Sequence, residues 1–176
     1  MPEMIILVDE QDNQIGVSEK LAAHQNGAKL HRAFSIFIFN DKNEMMLQQR
    51  AKTKYHFGGL WTNTCCSHPN VGETTMAAAH RRLVEEMGFD TDLEEICSFI
   101  YRAPDPKSGL TEHEFDHVFI GKHNQAPKLN PEEADAYKWI TLEDLEQDVR
   151  KHPENYTPWF KIVLDQVIKT MRQRKA

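Results

Sequence analysis

Gly72-Glu73-Thr74-Thr75-Met76-Ala77-Ala78-Ala79-His80-Arg81-Arg82-Leu83-Val84-Glu85-Glu86-Met87-Gly88-Phe89 decides how this sequence folds. Met76, Ala79, Leu83 and Met87 recur at helical steps, which predicts a helix over 73–87. Gly88 is placed to end it in the left-handed backbone that glycine adopts readily. Strand patterns surround this helix. Residues 33–39, Ala-Phe-Ser-Ile-Phe-Ile-Phe, are β-branched and aromatic and read as a strand buried on both faces. Residues 4–9, 45–49, 95–103, 114–121 and 137–140 read as further strands, with turns at Asp12-Asn13 and 41–43. Ser18 is expected to cap a short helix through Gln25, ended by Asn26-Gly27. Residues 51–72 read as loop. Thr141 and Asp144 predict the start of a helix over 142–151, and a last helix is expected from Pro158 to Arg174. Strands interspersed with helices and joined by antiparallel-style turns imply an α/β sandwich on a mixed sheet rather than a doubly wound one. The length of 176 residues fits one domain, 1–176.

Composition narrows the function. Lys plus Arg number 21 against 27 Asp plus Glu, a formal charge of −6, which argues against a nucleic-acid or anionic-membrane binder. Cys65, Cys66 and Cys97 are an odd set with two adjacent, so no disulfide framework is expected and a reducing compartment, the cytoplasm, fits. The apolar run Met4-Ile5-Ile6-Leu7-Val8 is too short for a membrane span, and Asp9-Glu10 follow it, so it is expected to be neither span nor signal peptide. No phosphate-loop or dinucleotide glycine pattern occurs.

Four groups of residues carry chemistry. In Cys65-Cys66-Ser67-His68-Pro69, an extended backbone puts Cys66 and His68 on one side. A thiol beside an imidazole or metal is suited to proton transfer, while a buried thiol with a satisfied histidine is the bland alternative. Glu112 and Glu114 share one strand face, where two carboxylates need a cation or a shared proton, unless they simply face solvent. His24 and His31 add imidazoles seven residues apart. With His68, Glu112 and Glu114 they make a three-His, two-carboxylate set suited to Zn, Mn or Fe(II). On the helix, Arg81, Arg82, Glu85 and Glu86 are either a charged solvent face or part of a site.

The helix string resembles a Nudix box, Gly-x5-Glu-x7-Arg-Glu-U-x-Glu-Glu-x-Gly-U. Glu73, Arg81, Leu83, Glu85, Glu86 and Gly88 fall in register, and Phe89 fills the last apolar slot. Ser67 stands where the first Gly belongs, and Arg82 replaces the Glu after the Arg. In Nudix hydrolases that Glu serves the cluster that binds catalytic Mg²⁺, so the substitution speaks against diphosphate cleavage. With Leu30-His31-Arg32-Ala33-Phe34-Ser35, Leu60-Trp61-Thr62-Asn63-Thr64-Cys65-Cys66-Ser67-His68-Pro69, Tyr101-Arg102-Ala103, Glu112-His113-Glu114 and Pro158-Trp159, the chain resembles the type 1 isopentenyl-diphosphate Δ-isomerases. Cys65, a second thiol beside the matching one, is a departure.

The resemblance implies a Nudix-like α/β/α sandwich and interconversion of isopentenyl and dimethylallyl diphosphate. It implies Cys66 and Glu114 as the acid/base pair, assisted by Tyr101. It implies His24, His31, His68, Glu112 and Glu114 as ligands of one Mn²⁺ or Zn²⁺, and Glu86 as a ligand of an Mg²⁺ carried with the diphosphate. Lys20, Arg50, Lys54 and Arg82 match the basic diphosphate-binding positions; Lys52 is expected to be solvated. Trp159, and less directly Trp61, are candidates to face a developing carbocation. The expected partner is a small diphosphate, with no nucleic acid or membrane, acting on a monomer or weak dimer.

Overall fold

The structure, a computed structural model, describes residues 1–175. Its strands are β1 (Met4–Val8), β2 (Gln14–Glu19), β3 (His31–Phe39), β4 (Met45–Arg50), β5 (Trp61–Thr62), β6 (Cys65–Ser67), β7 (Leu93–Pro104), β8 (Thr111–Lys122) and β9 (Ala134–Ile140). The helices are α1 (Lys20–Ala23), α2 (Thr75–Met87), α3 (Leu142–Lys151) and α4 (Pro158–Lys175).

β3 organises the sheet. It runs parallel to β8 from the His31–Glu114 pair to the Phe39–Lys122 pair, and antiparallel to β6, β4 and β1 on its other edge. β7 continues the sheet beyond β8, and β9 beyond β4. The mixed sheet is thus the expected one. Every β3 residue except Arg32 is buried, because helices cover both faces. Phe34, Ile36 and Ile38 pack with Ala78, Ala79, Leu83 and Met87 of α2. Phe37 and Phe39 pack against Phe160, Val163, Leu164 and Val167 of α4. Alternation along the strand sends successive side chains to opposite layers, and each fully buried Phe or Leu contributes about 1.5–3 kcal/mol.

α2 begins two residues later than expected, at Thr75, because Thr74 Oγ1 accepts the Ala77 N–H at 3.2 Å and so caps it. Met76 is 38% exposed rather than part of the apolar stripe. Gly88 ends the helix with φ 74°, and a Cβ there would lie 2.7 Å from the Lys128 carbonyl. The Thr141 cap forms as expected, accepting from Asp144 N–H.

The helix expected from Ser18 to Gln25 is a correction. Residues 14–19 form β2, and only Lys20–Ala23 are helical, with no side-chain cap. Asp9 Oδ1 accepts the N–H groups of Gln11 and Asn13, and Asp12 takes φ 65°, so the turn closes a β1–β2 hairpin. The ladder claims residue 18, and Ser18 Oγ donates to the Glu19 carbonyl instead. The region 51–72 also contains two short strands, β5 and β6, that were expected to be loop.

Candidate active site

β8 changes character along its length. Its inward face reads Glu112, Glu114, Asp116, then Val118 and Ile120. The apolar end joins the core, while the three carboxylates, all under 10% exposed, meet polar residues of β3, β6 and β7.

Three histidines meet them. His24 follows α1, His31 opens β3, and His68 follows β6. His24 Nδ1 lies 2.6 Å from the Lys20 carbonyl and His31 Nδ1 2.8 Å from the Lys29 carbonyl. A carbonyl only accepts, so each ring carries a proton on Nδ1, and the neutral ring turns its Nε2 lone pair inward. His24 Nε2 is 2.9 Å from Glu112 Oε2, and His68 Nε2 is 2.8 Å from Glu114 Oε2. His31 Nε2 lies 3.2 Å from His68 Nε2 and 3.3 Å from Glu114 Oε2. One donor atom each from His24, His31, His68 and Glu112 falls within 4.8 Å of the others. Buried lone pairs facing one another at these distances call for a cation, so the residues fit a divalent metal.

The electrostatics agree. Burial works to raise both glutamates, and Glu112 adds to this at Glu114; in the metal-free chain the imidazoles outweigh it when they hold a proton on Nε2 and donate it, His24 and His56 to Glu112, His31 and His68 to Glu114. Glu112 is held well below the usual carboxylate range and Glu114 is lowered to about 2. Burial lowers His68 to about 4. Asp116 goes the other way, raised by burial and by neighbouring Glu114, and keeps a hydrogen bond only from Ser35 Oγ, at 2.7 Å.

Beside this cluster lies a cavity lined by Lys20, Arg50, Lys54, Cys66, Arg82 and Trp159, together with His68, Glu86, Glu112 and Glu114. Tyr101 reaches the same carboxylates by donating its hydroxyl to Glu114 Oε1. The acid/base, metal-binding and diphosphate-binding candidates of the sequence, with Trp159, therefore lie around this cluster and its cavity. Glu86 sits apart from the imidazole cluster, taking Gln48 Nε2 at 3.0 Å and Arg82 Nη2 at 2.7 Å. Arg82 also contacts Glu85 and Glu133, and Lys54 contacts Glu133 at 2.6 Å. Arg50 is 6% exposed, stands 5.4 Å from the Trp159 ring centre and approaches Cys66 Sγ at 3.9 Å. Arg50 Nε and Arg82 Nε are buried with no acceptor among the described residues, as suits groups that await an anion. Trp159 is oriented by Asn63 Oδ1, 3.2 Å from its Nε1. Burial is the main reason that the Cys66 thiol is pushed up, so it carries its proton at neutral pH; Arg50 opposes the shift. Trp61 is half-buried beneath Lys138 and does not line this cavity. Cys65 faces the α2 layer and is wholly buried. Lys52 is exposed, as expected.

Among the cavity-facing residues that sequence reasoning missed are His56, Glu133, Gln48 and Tyr55. The first and last lie in an aperiodic loop. Gln48 carried a signal, since it alternates with Arg50 on β4.

A family model described as the NUDIX domain matches residues 29–160. Isopentenyl-diphosphate Delta-isomerase 2 of Aromatoleum aromaticum is 56% identical over 168 residues, spanning 96% of this chain and 88% of that protein. The protein of the same name from Photorhabdus laumondii is 52% identical, spanning 94% and 92%. Among solved structures, a Deinococcus radiodurans protein superposes with a TM-score of 0.70 at 20% identity, covering 85% of this chain and 90% of that one. A MutT protein of Methanosarcina mazei does so with 0.66 at 19% identity, covering 80% and 94%. The two solved structures bear on the fold alone; the family match and the identity to curated relatives, over nearly the whole length, mean that the chain belongs to the isopentenyl-diphosphate Delta-isomerases, within the NUDIX-domain family.

Proposed function

We propose that the chain interconverts isopentenyl diphosphate and dimethylallyl diphosphate by proton addition and removal, as a metal-dependent, flavin-independent isomerase of type 1. The observation that carries this reading is one cavity that combines a protonated thiol, an ionised carboxylate bonded to a phenol, an indole and four cations. Lys20, Arg50, Lys54 and Arg82 bind the diphosphate; Arg offers paired donors and Lys a point charge. This turns the hydrocarbon end toward Cys66, Glu114 and Trp159. One member of the Cys66/Glu114 pair gives a proton to the terminal methylene carbon, and charge develops on the tertiary carbon. The other removes a proton from the carbon between the tertiary carbon and the one that bears the diphosphate oxygen, and that C–H electron pair becomes the new double bond to the tertiary carbon. One proton enters and one leaves, so the reverse reaction exchanges the two roles. Tyr101 holds a proton at Glu114 Oε1. The Trp159 face stabilises the positive charge by about 2 kcal/mol without attacking it. The buried walls keep water from quenching the cation.

His24, His31, His68, Glu112 and Glu114 would hold one Mn²⁺ or Zn²⁺, and Glu86 would help to hold an Mg²⁺ that accompanies the diphosphate. A divalent ion bound there makes the Glu114 carboxyl group more acidic. Arg82 brings a positive charge, paired with Glu86 and Glu133, to a position where the Nudix box has a carboxylate, which favours isomerisation over hydrolysis. We place the reaction in the cytoplasm, on a monomer or weak dimer; no helix among the described residues is long and apolar enough to cross a membrane.

Proton NMR of isopentenyl diphosphate with the protein in D₂O, with Mg²⁺ and either Mn²⁺ or Zn²⁺, tests the proposal. Deuterated dimethylallyl diphosphate supports it. Unchanged substrate, or released phosphate, overturns it.

A further inference from the structure

His56 lies on the connection between β4 and β5. That connection is tightly held: Phe57 N–H donates to Asp105 Oδ2 at 3.1 Å, and Gly59 N–H to the Arg50 carbonyl at 2.9 Å. His56 is consequently 6% exposed, with Tyr55 and Phe57 packed around its ring at 4.6 and 5.7 Å between centres. Its Nε2 contacts Glu112 Oε1, while the other oxygen of Glu112 takes His24 Nε2 at 2.9 Å. Its Nδ1 is buried with no partner among the described residues.

These contacts assign the proton. An ionised carboxylate only accepts, so His56 carries its hydrogen on Nε2, opposite to His24 and His31. The ring thus has nothing to offer a metal from the side that faces Glu112. It offers a hydrogen bond to a ligand. Arg50 Nη2 donates to the His56 carbonyl at 3.2 Å, so the residue also ties a diphosphate-binding arginine to the carboxylate.

We infer that His56 is a positioning residue that clamps Glu112 Oε1 and thereby aims Glu112 Oε2 at the His24, His31 and His68 cluster, raising the affinity of the site for a divalent ion. This rests on the metal reading proposed above. Outer groups that orient a metal ligand are commonly worth about 10–100-fold in affinity.

The metal-free chain is titrated with Co²⁺, following the visible absorption of the bound ion, as wild type, H56Q and H56N. Glutamine carries an amide nitrogen near the Nε2 position and can still donate to Glu112; asparagine carries it near Nδ1 and cannot. H56Q should bind within a few-fold of wild type, and H56N about 10–100-fold more weakly. Equal binding by H56N overturns the inference while leaving the metal reading intact. A wild-type chain that takes up no Co²⁺ overturns the metal reading and the inference with it. Long-range ¹H–¹⁵N spectra of the histidine-labelled wild type need no substitution: a neutral Nε2–H ring at His56 supports the clamp, and an Nδ1–H ring overturns it.

Discussion

Tyr101 and Glu114 stand directly opposite each other across the β7–β8 ladder, and the Tyr101 hydroxyl donates to Glu114 Oε1. Glu114 Oε2 meanwhile faces His68 and His31. The carboxylate is therefore divided, one oxygen toward the imidazoles and one toward a proton donor. Burial, reinforced by Glu114, pushes the phenol well above its usual range, so it stays protonated. Tyr101→Phe removes the proton and keeps the ring in the core. The expected result is a fall in kcat of roughly 10²-fold with little change in KM. A large rise in KM with kcat unchanged would instead make Tyr101 a substrate-binding group.

The adjacent cysteines should separate cleanly. Cys66 lines the cavity, and Cys65 is wholly buried against α2. Cys66→Ala should abolish turnover with native circular dichroism and little change in Tm. Cys65→Ala should retain turnover and cost about 1 kcal/mol, read by urea denaturation. Loss of turnover in both variants, with both folded, would contradict the separation.

Much of this site was legible because strand alternation is a hard rule. It puts Glu112 with Glu114, and Cys66 with His68, from spacing alone. The same rule extends to Asp116 two residues on, but that carboxylate sits at the edge of an apolar run and draws no attention alone. His56 was illegible for another reason. Its loop has no period, and its place is set by long-range contacts, of Phe57 N–H with Asp105 and of His56 itself with Glu112. The β1–β2 hairpin defeated local reasoning too. Ser18 is a good cap in isolation, yet pairing with Ile5 across the hairpin outweighs one capping bond.

Arg82 is the fulcrum of the acidic wall, with contacts to Glu85, Glu86 and Glu133. Replacing it by Ala leaves Glu86, 3% exposed, facing Gln48 alone. The expected cost is about 2–3 kcal/mol, since bonds to charged groups are the stronger kind, together with a rise in KM for the diphosphate. Unchanged KM would remove Arg82 from the substrate site.

Metal removal gives a second thermal signature. A divalent ion that binds only the folded chain adds about 2.7 kcal/mol at one hundred times its dissociation constant. For a chain of this size that raises Tm by roughly 5–10 °C. Chelation should reverse the rise. His24→Ala should show a much smaller one, because His24 Nε2 is one of the converging donors.

His68 makes the metal-free chain sensitive to acid. Burial lowers its pKa from 6.5 to about 4, against the pull of Glu114. Between those values the unfolded chain binds a proton that the folded chain refuses, so stability is full above pH 6.5 and falls as the pH drops toward 4. The loss approaches about 3 kcal/mol. His24 has the opposite sign: burial opposes, but Glu112 holds its pKa above 6.5, so its contribution is full below pH 6.5 and is lost as the pH rises above it. The informative quantity is therefore the difference between wild type and H68Q, taken from urea denaturation of metal-free protein at successive pH values. H68Q should show the shallower fall between pH 6.5 and 4. Parallel profiles would mean that His68 accepts its proton in the folded chain, and Nε2 would then not be a free lone pair for a metal at pH 6.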